Sequence, residues 1–317
     1  MSPALHPVVC LGGANVDRKL RVAAPVRPGS SNPVSARETW GGVARNVAEN
    51  LARCGVPVQL LTAVGQDAAG RALLDDAARC GIDTSAAEVV ADALTGSYTA
   101  VLNPDGSLHV ALAHMDLCEQ LTPDWLARHA GRCRSAALVV ADLNLPAATL
   151  AALVAAAAQA EASPLVLVAV SEAKMVRLPA GLQGVRLLVL NRGELAAWAG
   201  TERLADGVAR LRAAGVHDVV VTLGEAGLCH TTPAGELIHL AAPAVSPEAL
   251  VDVTGAGDAL AAGLCRGLWR GDVAAQGWSP TCVQALARAA RTVQSAATVL
   301  PDGDADSDPI SLPPIPS

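Results

Sequence analysis

Phenylalanine is absent from this chain of 317 residues, tyrosine occurs once, and aromatic residues make up only 2% of it. A core without large rings must be filled by Ala, Val and Leu. Helices and strands that meet through such small side chains pack closely, which suits a layered α/β body. The shortage of rings also weighs against an acceptor site that stacks a purine on an aromatic face. Basic charge is not in excess: 23 Lys and Arg stand against 30 Asp and Glu, a net charge of −7, with the signs interspersed. That balance argues against non-specific binding to nucleic acid or anionic membrane, which needs basic patches. None of the eight cysteines forms a CxxC pair or has a His at metal-ligand spacing, so they read as small core hydrophobes. The longest apolar run, Leu150–Ala160, is too short and too rich in alanine to span a bilayer. No basic stretch followed by an apolar one opens the chain, so a cytoplasmic enzyme is expected.

Hydrophobic residues, at 51%, suffice for a large core. The length predicts one large α/β domain with a small appendage, or two domains. Val8–Gly13 reads as a buried strand ending in glycines. Residues 17–40 lose periodicity and gather Pro, Gly, Ser and Asn, as a projecting segment does. Gly42–Cys54 has apolar residues at 43, 47, 51 and 54, a helical period. Gln59–Val64 is the next strand and Ala68–Cys80 the next helix, closed by Gly81. Residues 95–112 predict a hairpin about Asn103-Pro104-Asp105-Gly106, which with part of 17–40 would form a small sheet outside the body. Ala137–Ala141, Leu165–Val170, Leu187–Leu190 and Asp218–Leu223 are strands separated by helices. That alternation predicts a mostly parallel, doubly wound sheet. From Pro301 the acidic, proline-rich composition predicts a disordered tail.

The stretch richest in chemistry is Asp252–Asp258, DVTGAGD, followed by an apolar helix. Gly255, Ala256 and Gly257 leave backbone N–H groups bare at a helix N-terminus, an anion site suited to a phosphoryl group. Asp258, in the first turn, can accept the proton of an attacking hydroxyl beside it. A capping Asp on a glycine-rich loop would look the same.

DVTGAGD closely resembles the C-terminal signature of the PfkB, or ribokinase-like, kinases, and further landmarks of that family follow in order. Asn15 and Asp17 in GGANVD match its first-strand end, which implies that they hold acceptor hydroxyls. Gly41, Gly42 and Asn46 in GGVARNVAENLARCG match the diglycine signature, also facing the acceptor. Asn191 and Glu194 in NRGE match N-x-x-E, implying a role with Mg²⁺ and phosphates. Thr222, Gly224 and Gly227 in VTLGEAG match the ATP loop, to which Asn191, Gly255 and Gly257 add. Asp252 and Thr254 correspond to positions that help hold a monovalent cation such as K⁺. The resemblance implies a ribokinase-like three-layer α/β/α sandwich over residues 1–300, with a β-sheet lid at about 17–40 and 95–112. It also implies ATP as co-substrate, Mg²⁺ as cofactor, and a homodimer through the lid.

GSSNP, TGSYTAVLNPDGSLHVALAHMDLCEQLTPDWL and VVADLNL further resemble bacterial pseudouridine kinases, implying phosphorylation of a 5′-hydroxyl. Ser97, Tyr98, Thr99, Met115 and Asp116 would then lie near the junction of lid and body. The Val-Asp-Pro-Val-Ser common in that group is changed here: Val168-Ala169-Val170-Ser171 lacks the acid and the proline. Other acceptors (ribose, fructose, adenosine, inosine) stay open, as does a ligand sensor of the same fold without turnover. A dinucleotide-dependent oxidoreductase is excluded, because the first strand ends in GGAN with no GxGxxG.

Overall fold

The computed structural model describes residues 6–301. Its first strand, β1 (Val8–Leu11), is wholly buried and passes through Gly12 and Gly13 into β2 (Asn15–Val22). β3 (Val34–Gly41) returns antiparallel to β2 and runs through Gly42 into α1 (Val43–Arg53). Then come β4 (Val58–Leu61), β5 (Ala63–Gly65), α2 (Ala68–Arg79), β6 (Ile82–Asp83) and β7 (Glu88–Val90). β8 (Ser97–Leu102) and β9 (Leu108–His114) form the hairpin expected from its turn residues. After α3 (Pro123–Ser135), strand and helix alternate through β10 (Leu138–Asp142), α4 (Ala147–Ala157), β11 (Leu165–Val168), β12 (Val185–Asn191) and α5 (Arg192–Ala199). α6 (Leu204–Ala213), β13 (Asp218–Thr222), β14 (Leu228–Thr231) and β15 (Leu237–Leu240) follow, and α7 (Ala256–Arg270), α8 (Asp272–Gln276) and α9 (Trp278–Thr292) close the body.

Nine strands form the main sheet in the order β15-β14-β13-β12-β11-β10-β1-β4-β6. All neighbours from β13 to β6 are parallel, while β14 and β15 add an antiparallel edge. Each face is covered. Leu and Val of α3, α4, α5 and α6 pack on one side, and α1, α7 and α9 pack on the other. α7 and α9 meet where Gly263 lies against Ala285 and Gly267 against Thr281, the close small-residue packing that a ring-poor core requires. This is the three-layer sandwich the sequence predicted.

A second sheet, in the order β3-β2-β8-β9, stands apart as the lid. The segment 17–40 is therefore two paired strands, and its Pro/Gly-rich part, 24–33, is the turn between them. Two strands end earlier than expected, and two others were not expected. Gln59–Val64 divides at Thr62, whose hydroxyl donates to the Gly12 carbonyl at 2.7 Å; β5 then pairs with β7 in a separate small sheet. Leu165–Val170 ends at Val168, after which Ala169 and Val170 turn to cover the core. β14 and β15 are short and follow a parallel strand directly, so strand–helix alternation did not announce them. The segment read as a disordered tail lies, beyond Pro301, outside the described residues.

Candidate active site

The order of the main sheet puts a topological switch point between β1 and β10: from β1 the chain builds outward through β4 and β6, then returns to add β10 on the other side. Ligands of open α/β sheets bind at the carboxyl ends of strands at such a point. Here those ends carry Gly12 to Asn15 on one side and Asp142 to Asn144 on the other. The Asp142 carboxylate is buried, and burial pushes its pKa up against four hydrogen bonds. Oδ2 accepts from Gly13 N at 3.0 Å, Ala44 N at 2.9 Å and Asn144 Nδ2 at 3.0 Å, and Oδ1 accepts from Asn144 N at 2.8 Å. α1 begins at Gly42 with no side-chain cap of its own, so a carboxylate 98 residues away satisfies its exposed N–H. Sequence reading passed over Asp142; the signal was an acid closing the otherwise apolar run LVVAD.

Across the cleft, α7 starts at Gly255, and no side chain caps it. Gly255 has φ 83°, and an added Cβ would run into the Thr298 carbonyl. Only glycine fits there. Gly255→Ala is expected to distort the first turn of α7 and lower kcat about 10²-fold, as loss of an anion-hole donor does; steady-state rates beside circular dichroism would check it. Gly257 faces open space. Asp258, one residue on, receives Asn46 Nδ2 at 2.8 Å. Its pKa is raised to about 7, chiefly by burial; the Asn46 bond opposes this, the charges of Asp142 and Asp17 push it further up, and Arg45 pulls it down. A carboxylate so poised suits proton abstraction near neutral pH.

Asn46 is 3% exposed and lies on the inner side of α1. Arg45 Nη1 donates to its Oδ1 at 3.2 Å, and Arg45 is in turn held by Asp76 at 3.1 Å. Those bonds fix the amide so that its N–H faces Asp258. Asn46, expected to meet the acceptor, thus holds the candidate base.

Asn15 and Asp17 come together as expected: Asn15 Nδ2 donates to Asp17 Oδ1 at 2.6 Å. Burial raises the Asp17 pKa, against the Asn15 bond and the charges of Lys19 and Arg45. Gly41 lies against the Asp17 carboxylate so closely that a Cβ would overlap it, which explains the first glycine of the pair. In the lid, Tyr98 stands beside Asp17 in register and shares its face. Ser97 and Thr99, one residue out of phase, belong to the opposite face, and the strand alternation turns them away from Asp17. Met115 Sδ packs beside Gly96 near Asn15, while Asp116, itself exposed, opens a 3-10 turn whose Leu117 and Cys118 are buried.

On the far side of α7 a cleft of about 840 Å³ is bounded by Thr222, Gly224, Gly227, Ala256 and Gly257. Its walls are aliphatic, including Val245, Val253, Leu286 and Val293, so a flat heteroaromatic base would lie between methyl groups rather than rings. Asn191 and Thr222 are register neighbours at adjacent strand ends. Asn191 and Glu194 form a reciprocal capping box, with Asn191 N donating to Glu194 Oε2 at 2.7 Å and Glu194 N to Asn191 Oδ1 at 2.8 Å. Burial, with the nearby Glu172 charge, raises the Glu194 pKa against the Asn191 bond. Glu172 itself lies against Gly193. Ala169 offers only a backbone bond, to Val189 O, so the acid nearest Glu194 comes three residues later than the family pattern implied. No three His, Cys, Asp or Glu gather into a metal cage among the described residues. The Glu194 and Glu172 carboxylates fit Mg²⁺, which keeps most of its ligands as water and phosphate oxygen.

Asp252 and Thr254 are also brought together, and the cation between them is a side chain: the Lys19 ammonium meets the Asp252 carboxylate and donates to Thr254 Oγ1 at 2.7 Å. Lys174 reaches Asn144 Oδ1 at the switch point. Neither lysine was singled out from sequence. Lys19 carried a signal, lying two residues beyond Asp17 in a strand.

An α/β sandwich with a cleft beside α7, a lid, and a carboxylate next to an uncapped glycine-rich helix start has the make-up of a phosphotransferase acting on hydroxyl groups. The pfkB family carbohydrate kinase profile matches residues 5–302, and the chain belongs to that family. It is 32% identical over 262 residues to the pseudouridine kinase of Escherichia coli strain K12, covering 81% of this chain and 82% of that one. A carbohydrate kinase from Agrobacterium tumefaciens is 34% identical and superposes with a TM-score of 0.78, covering 93% of this chain and 92% of its own. Arabidopsis thaliana ribokinase, solved with ribose and ATP, has a TM-score of 0.77 at 22% identity over 93% of this chain and 95% of its own, a likeness of fold.

Proposed function

We propose that this kinase transfers the γ-phosphoryl group of ATP to the 5′-hydroxyl of pseudouridine, giving pseudouridine 5′-phosphate and ADP. The observation that carries the transfer is Asp258, held by Asn46 and flanking the uncapped start of α7 between the Asp17 side and the aliphatic cleft. The acceptor sits over β1 and β10 with its sugar hydroxyls on Asn15 and Asp17. Asp258 Oδ takes the 5′-hydroxyl proton as the oxygen attacks phosphorus. The N–H groups of Ala256, Gly257 and Asp258 receive the charge of the transferring phosphoryl group. ATP lies in the cleft between Thr222, Gly224, Gly227 and α7, with Asn191 near its phosphates. Glu194 with Glu172 would hold Mg²⁺ through water, and the ion would supply positive charge against those phosphates. The lid carries Tyr98 and Met115 over the acceptor and excludes water that would hydrolyse ATP.

Pseudouridine as acceptor is supported by the likeness to the Escherichia coli enzyme, with the lid stretch 95–126 adding to it. A homodimer is supported by the outer lid face, where Ala36, Leu20, Val101 and Val110 form one apolar row across all four strands. The cytoplasm is the compartment that supplies ATP and Mg²⁺.

ATP consumption with pseudouridine, uridine, ribose, fructose and adenosine in parallel tests the acceptor. Pseudouridine is expected to exceed uridine by at least about tenfold in kcat/KM, near 1.4 kcal/mol. Turnover confined to another acceptor would leave Asp258 and the helix start in their roles and remove pseudouridine. No turnover with any would favour a ligand sensor.

A further inference from the structure

The proposed reaction needs the loop before α7 held in one geometry while the lid is shut, and one side chain joins the two. Lys19 lies two residues after Asp17 in β2, so strand alternation gives it the face that carries Asp17. Its ammonium bridges the Asp252 carboxylate and the Thr254 hydroxyl. Thr254 N donates back to Asp252 Oδ1 at 3.0 Å, so the three groups form a closed ring directly before Gly255. The pair is largely shielded, at 29% and 23% side-chain exposure, and a cation–carboxylate bond screened this way is stronger than a surface pair. Of the three N–H donors of an ammonium, two are used here.

The neighbouring lid strand repeats the arrangement. Arg37 is the register partner of Lys19, and its guanidinium donates to the Ala296 carbonyl. Gly255 is wedged against Thr298 of that same segment. Two lid cations thus grip the two stretches, 252–254 and 296–298, that frame the start of α7.

We propose that Lys19 is a tethered cation that fills the place of a free monovalent ion at Asp252 and Thr254, and that through it lid closure sets the geometry of the anion-binding turn. Lys19 is a positioning residue: it acts on the phosphoryl group through the backbone at Gly255 to Asp258. The inference rests on the kinase reading of the site.

The test compares wild type with Lys19→Ala and with Lys19→Met, which retains most of the aliphatic stem. Rates are measured with ATP and whichever acceptor the wild type uses, in KCl or tetramethylammonium chloride at one ionic strength, alongside thermal unfolding in both salts. The wild type is expected to change less than about twofold between salts, while Lys19→Ala loses about 10–100-fold in kcat without K⁺ and regains at least about tenfold with K⁺ or NH₄⁺. K⁺ should also raise the melting temperature of Lys19→Ala and leave wild type unmoved, because an ion that binds only the folded variant stabilises it by mass action. A wild type activated tenfold by K⁺, or a variant deaf to K⁺ in both rate and melting temperature, would overturn the proposal. A wild type that turns over no acceptor would instead sink the kinase reading, and the unfolding comparison would still decide the role of Lys19.

Discussion

Asp258→Asn is expected to lower kcat by about 10²–10⁴-fold, the range for losing a general base, while the affinity for the acceptor barely moves. The amide keeps the shape of the side chain and its contact with Asn46, so the loss isolates proton abstraction; single-turnover rates beside calorimetric binding would separate the two effects. Since the carboxyl titrates at about 7, wild-type kcat/KM should climb with pH through that value and level off above it. In Asp258→Asn the limb should vanish. The same carboxyl has a consequence for stability. Its folded pKa exceeds the ordinary carboxylate value of 3.8, so between about pH 4 and 7 the folded state holds a proton that the unfolded state has lost, and stability declines as pH rises through this window. Asp258→Asn escapes that decline. It should be more stable than wild type at pH 8 by about 1–2 kcal/mol, below the full linkage value because part of the group faces solvent. At pH 4 it should show no gain, and urea unfolding at the two pH values reads both. A carboxyl kept at the expense of stability accords with its proposed role as base.

The second large effect is expected from Asp142→Ala. Four donors share this one carboxylate, two of them the backbone N–H groups of Gly13 and Ala44. Truncation leaves them unsatisfied in the interior, at a cost of about 2–4 kcal/mol, and frees both the turn from β1 that leads into Asn15 and Asp17 of β2 and the start of α1 that carries Asn46. Turnover should fall about 10²-fold or more even where the variant folds, because small misplacements of reacting groups are that expensive. Asp142→Asn separates geometry from charge. Its amide offers one acceptor oxygen in place of two, so stability should still drop. Removing the negative charge should also shift the acid limb of kcat/KM to lower pH, since Asp142 helps hold the Asp258 pKa up.

Why some of this was legible in the chain and some was not follows from what each feature depends on. Strand–helix alternation, the turn at Asn103–Gly106 and the helix after DVTGAGD are local in origin, and the observed elements follow them closely. The uncapped helix start at Gly255 was readable because a glycine-rich helix start has a local signature wherever it occurs. Asp142, Lys19 and Arg45 act across separations that no local pattern encodes: Asp142 reaches Gly13 over 129 residues and Lys19 reaches Asp252 over 233. Asn46 was singled out, but helical period alone does not say that its face turns inward toward α7, where it meets Asp258. That Tyr98, and neither Ser97 nor Thr99, shares the strand face of Asp17 is decided only by the register of β2 with β8.

The position of β1 also governs how the chain can fold. This strand lies between β4, which comes after β2, β3 and α1, and β10, which pairs Val8 with Leu138. The centre of the sheet therefore cannot close until nearly the first half of the chain is available, and the loop so closed is long. Such non-local parallel pairing slows folding and lengthens the time that apolar strand edges stay open. During synthesis, the segment from β1 to β9 must wait on the ribosome with one edge of β1 unpaired. The lid hairpin, whose strands are adjacent in sequence, can form meanwhile.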